Sequence, residues 1–142
     1  MLFRSPHFRL DNNVIIFSLF PGIREDLIRH IIHTPNLKSI VMRTFGSGNA
    51  PSSPWLLNAL KEGTRAGKVI VNISQCMQGA VEMCRYDCGY HLQEAGVISG
   101  RDSTVESAVT KLMFLQSHYD DPQTIRQLMT QSLRGEIGIQ TP

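Results

Sequence analysis

The sequence predicts an α/β fold: a doubly wound parallel sheet of about four strands with helices on both faces. Three observations lead there. Short apolar runs rich in β-branched residues alternate with amphipathic stretches. The runs are apolar at consecutive positions rather than at every second one, which suits strands covered on both sides. Gly and Pro punctuate the boundaries, as at Pro21, Gly22, Gly46 and Gly48.

Each element can be justified in turn. Residues 12–20 read as a strand, because Val14, Ile15, Ile16 and Phe17 are β-branched or aromatic. Residues 24–33 follow as a helix with Leu27, Ile28, Ile31 and Ile32 on one face and Glu25 and Asp26 in the first turn. Residues 37–45 form a second buried strand, ending at glycine-rich residues 46–51. Ser53 is the expected N-cap and Pro54 the first residue of the next helix, which runs to Gly63 or Gly67. Residues 68–74 are a third strand, and a helix is expected from about Glu82 onward. Residues 97–100 are short enough for a strand or a loop. Ser103 and Glu106 make a capping-box pattern, with Val105, Ala108, Val109, Leu112 and Met113 as the apolar stripe behind it. Asp121 and Pro122 open the last helix, Ile125, Leu128 and Met129 are its face, and Gly135 is the expected stop. The class is flavodoxin- or Rossmann-like. In such sheets ligands sit beyond the carboxyl ends of the strands, which singles out residues 20–23, 43–51 and 74–79.

Composition narrows the partners. The 142 residues, 42% of them hydrophobic, suffice for one core. The 14 basic and 12 acidic residues are interspersed, so no basic stripe for nucleic acid emerges. No run approaches the roughly 20 apolar residues of a membrane span, and residues 1–10 lack the apolar stretch of a secretory signal. Cys76, Cys84 and Cys88 make an odd count, so reduced thiols in the cytoplasm are expected rather than a disulfide framework.

The residues at the strand ends offer limited chemistry. Gly46–Asn49 could bring backbone N–H groups to a carboxylate or phosphate, or could simply be a tight turn. Arg43, inside an apolar strand, needs either an ion-pair partner or the mouth of a site, where it could clamp a carboxylate. Cys76 is a nucleophile only with a histidine base near it; none is near in sequence, and a small packed thiol is the default. His30 and His33 suit a solvated helix face, and capping accounts for Asp102 and Glu106. No cofactor fingerprint and no metal-ligand spacing is present, so neither a cofactor nor a metal is expected.

Five segments, taken together, resemble bacterial type I L-asparaginases. Residues 43–51, RTFGSGNAP, resemble the family's R-x-[YF]-G-x-G-N-A-P. Residues 71–83, VNISQCMQGAVEM, resemble V-N-x-[ST]-Q-C-x-x-G-x-V. Tyr86, Gly89 and residues 95–112, AGVISGRDSTVESAVTKL, resemble Y-x-x-G and G-V-I-x-G-x-D-M-T-x-E-A-x-x-x-K-L, with Ser103 in place of the methionine. FPGI at 20–23 and SLRGEI at 132–137 resemble the family's post-strand turn and its end.

The resemblance implies a division into residues 1–11, an extension or linker remnant, and 12–142, an asparaginase C-terminal domain. It implies cytoplasmic location, homo-oligomers, and hydrolysis of L-asparagine by an N-terminal domain carrying T-G-G-T and T-D-T motifs. This sequence has neither motif, so no catalytic residue is expected in it and the chain alone should not turn over asparagine. Two roles remain by resemblance. One is the subunit interface, with Tyr86 contributing to a neighbouring active site. The other is an asparagine effector site formed by Arg43, Asn49, Ser74 and Cys76. The competing expectation is a stand-alone amino-acid-binding or dimerisation module without catalysis.

Overall fold

The computed structural model describes residues 9–76, 80–81 and 87–138. Four strands, β1 (Val14–Ser18), β2 (Ser39–Thr44), β3 (Val69–Ser74) and β4 (Ile98–Ser99), form one parallel sheet in the order β1-β2-β3-β4. The helices are α1 (Glu25–Ile32), α2 (Pro54–Arg65), α3 (Asp87–Glu94), α4 (Val105–His118) and α5 (Pro122–Met129).

The strand order follows the chain without a reversal. Helices α1, α2 and α3 therefore pack on one face, where Ile28, Ile32, Leu56, Leu60 and Leu92 meet Ile40, Met42 and Ile70. Helices α4 and α5, which come after β4, cover the other face with Ala108, Leu112, Leu115, Ile125 and Met129 against Val41, Val69, Val71 and Ile73. Alternation of side chains along a strand divides β2 and β3 in this way. It also explains why both strands read as unbroken apolar runs: each face has its own core.

Local signals decide the element ends. Pro54 begins α2 after an extended Ser53, although the Ser53 side chain makes no cap bond. Asp121 caps α5 as expected, accepting from the N–H groups of Gln123 and Thr124 at 3.3 and 2.8 Å. Three expectations need correction. The N-cap of α4 is Thr104, not Ser103: its Oγ1 accepts from the Ser107 N–H at 3.2 Å, while the Ser103 hydroxyl donates to the Glu136 carbonyl at 3.5 Å. With the helix starting one residue later, no capping box forms. Helix α5 ends at Met129, and Gly135, with φ +85°, shapes a later turn instead. Leu27 is 48% exposed, because the short α1 buries only the narrow Ile28–Ile32 edge. The expected helix start near Glu82 lies outside the described residues, as does Tyr86.

The buried side of α4 also holds two polar residues, Lys111 and Gln116. Gln116 accepts from the Ser39 hydroxyl at 2.8 Å and donates to the Asp11 carbonyl at 2.6 Å, fastening the incoming chain to the sheet. Among the described residues no helix is long and apolar enough to cross a membrane.

Candidate functional site

The carboxyl ends of β2 and β3 are tied together before any side chain is left for a ligand. Residues 45–49 close into a tight turn: the Phe45 N–H donates to the Asn49 carbonyl at 2.9 Å and the Asn49 N–H to the Phe45 carbonyl at 2.8 Å. Gly48 sits at φ +106°, and a Cβ there would lie 2.7 Å from Val81, so only glycine fits. Thr44 donates to the Asn72 side chain at 2.6 Å, and Asn72 donates to the Gly48 carbonyl at 3.2 Å. Ser74 Oγ donates to the Gly46 carbonyl and accepts from the Cys76 N–H at 3.0 Å. Gln75 Nε2 reaches the Leu19 and Arg43 carbonyls at 2.8 and 3.1 Å, linking the ends of three strands. The glycine-rich segment is thus a turn that shapes the strand ends.

Arg43 lies in register with Ile73, so its side chain leaves the sheet on the α4–α5 face. Ser74, one residue on and in register with Thr44, belongs to the opposite face. The Arg43 Nε is buried and has no hydrogen-bond partner, and Arg43 forms no ion pair among the described residues. A buried donor without an acceptor costs about 1–3 kcal/mol. Arg43 opens onto a cleft of about 340 Å³ between the end of β3 and the start of α4. Ser74, Gln75 and Cys76 line it from the end of β3, and residues 102–106, Asp102 and Glu106 among them, line it from the start of α4.

Three of the four expected ligand-binding residues, Arg43, Ser74 and Cys76, line one cleft, Ser74 with its hydroxyl given to the Gly46 carbonyl. Asn49 does not line it; its backbone closes the adjoining turn. Cys76 is exposed rather than packed, because the chain has already left the sheet at Ser74.

Residues 13–129 match the family described as the Glutaminase/Asparaginase C-terminal domain. The chain belongs to this family. It is 43% identical over 122 residues to L-asparaginase 1 of Escherichia coli strain K12, across 86% of this chain and 36% of that protein. It is 42% identical over 132 residues to the human 60 kDa lysophospholipase, across 92% of this chain and 23% of that one. The crystal structure of L-asparaginase I from Vibrio cholerae superposes with a TM-score of 0.86 at 38% identity, over 91% of this chain and 39% of that one. The chain thus spans little more than a third of these two L-asparaginases.

In this asparaginase C-terminal domain, the sequence reading missed the acidic wall of the cleft. From sequence, Asp102 and Glu106 read as capping residues. Neither caps α4: Asp102 accepts the Gly138 N–H, and the Glu106 carboxylate accepts no hydrogen bond among the described residues. The available signal was their spacing of one helical turn directly after the short β4, at the same end of the sheet as Arg43. An arginine and two acidic residues that line one cleft, with no ion pair between them among the described residues, suit a ligand carrying both an anionic and a cationic group. Among the described residues no three His, Cys, Asp or Glu side chains are grouped to hold a metal ion.

Proposed function

We propose that this domain serves a cytoplasmic, homo-oligomeric L-asparaginase as an effector-binding and subunit-interface domain, and that its cleft takes L-asparagine. The observation that carries this reading is that Arg43, whose buried Nε has no hydrogen-bond partner, lines a cleft that Asp102 and Glu106 also line. An α-amino acid satisfies both sides. Its carboxylate meets Arg43 through charge-assisted hydrogen bonds, and its ammonium meets Asp102 and Glu106. Cys76 lines the wall, while Ser74 and Asn49 set the strand ends, Ser74 through the Gly46 carbonyl and Asn49 through Phe45.

Hydrolysis of asparagine to aspartate and ammonia belongs, in this reading, to the partner N-terminal domain. The chain carries neither threonine motif associated with that chemistry. Tyr86 is assigned to the subunit interface beside a neighbouring active site. Identity of 43% to an L-asparaginase supports asparagine as the ligand class. The test is calorimetric titration of this chain with asparagine, alongside an ammonia-release assay. Saturable binding without ammonia release is expected. Ammonia release by the chain alone, or no binding, contradicts the reading.

A further inference from the structure

The segment that follows α5 returns to the cleft and ends on one of its carboxylates. The Gly138 N–H donates to both oxygens of Asp102, at 2.9 and 3.0 Å. The approach is close enough that a Cβ at position 138 would lie 2.3 Å from Asp102 Oδ2. One residue along the cleft rim, the Ser103 hydroxyl donates to the Glu136 carbonyl at 3.5 Å.

The segment is itself anchored away from the cleft. Glu136 accepts the N–H groups of Leu133 and Arg134 and pairs with Lys111 Nζ at 2.6 Å. Lys111 also donates to the Met129 and Gln131 carbonyls. Ile137, between the anchor and Gly138, is 3% exposed. The rim of the cleft is thereby bridged to a strap rooted on α4.

We propose that residues 132–138 are a strap that orients Asp102 toward the ammonium group of the bound amino acid, so that cleft occupancy and strap docking stabilise each other. This rests on the reading of the cleft as an amino-acid site. A carboxylate offers about four acceptor positions, so the Gly138 N–H leaves Asp102 able to take an ammonium while fixing its direction. Linkage makes the effect reciprocal: a ligand that favours the docked strap is favoured by it equally.

The test compares L-asparagine with succinamic acid, which is asparagine without its amino group, in NMR titrations of this chain. The wild type should prefer asparagine by at least about tenfold, the low end for a hydrogen bond to a charged group. Gly138→Ala, which displaces the Asp102 carboxylate, should weaken asparagine binding about tenfold, leave succinamate binding unchanged and so erase the preference. Saturation with asparagine, and not with succinamate, should slow hydrogen exchange at the Gly138 amide. A Gly138→Ala chain that keeps the wild-type preference, or Gly138 exchange unmoved by saturating asparagine, overturns the strap. Failure of the wild type to bind asparagine at all instead overturns the amino-acid reading itself.

Discussion

Glu136 Oε1 lies 2.6 Å from Lys111 Nζ, and the two side chains are only 16% and 7% exposed. Burial works against ionising Glu136. The Leu133 N–H, the Lys111 ammonium and the Arg134 N–H outweigh it and push its pKa from the usual 4.5 down to about 2. A folded-state pKa below the unfolded one gives stability that is complete above the unfolded value and lost as pH falls through the folded value. The domain should therefore lose this contribution between about pH 4.5 and 2. Urea midpoints measured down this range should fall for the wild type and fall less steeply for Glu136→Gln. Parallel slopes would remove Glu136 from the account of acid sensitivity.

Removing the other partner leaves a largely buried carboxylate with only backbone donors. Lys111→Met should destabilise the domain by about 3 kcal/mol, the low end for breaking a buried pair. Chemical denaturation measures it. A loss below about 0.5 kcal/mol, the usual scale for a surface change, would mean the pair contributes little.

The polar link between β2, β3 and the 45–49 turn should be similarly sensitive. Thr44→Val keeps the shape but strips the Asn72 side-chain Oδ1 of its donor, and both residues are fully buried. About 1–3 kcal/mol of stability should be lost. The same measurement on Asp121→Ala should show a loss of about 1 kcal/mol, typical of a removed N-cap.

Much of the fold was legible in the sequence because it rests on local patterns. The runs at Ile40–Met42 and Val69–Ile73 announce strands with a core on each face, and Asp121 with Pro122 announces a helix start. Ser103 and Thr104 are adjacent hydroxyls that can both cap, so the choice depended on where Ser103 found a partner, at Glu136. The burial of Lys111 and Gln116 was hidden because their partners, Glu136 and Ser39, are remote in sequence. For the site, Arg43, Ser74 and Cys76 were legible as strand-end residues. Strand register alone decides that Arg43 and Ser74 leave opposite faces, and only the packing of α4, with the turn that precedes it, brings Glu106 and Asp102 to the cleft that Arg43 lines.

The Arg43 guanidinium is the group on which the proposed amino-acid site depends most directly. Calorimetric titration of L-asparagine into the wild-type chain, Arg43→Ala and Arg43→Lys measures that dependence. Loss of a hydrogen bond to a charged group corresponds to roughly 10- to 150-fold in affinity. Arg43→Ala should weaken binding by that factor with the thermal unfolding midpoint maintained. Arg43→Lys should fail to restore it, because an ammonium cannot reproduce the planar two-pronged contact. Unchanged asparagine affinity in Arg43→Ala would contradict the account.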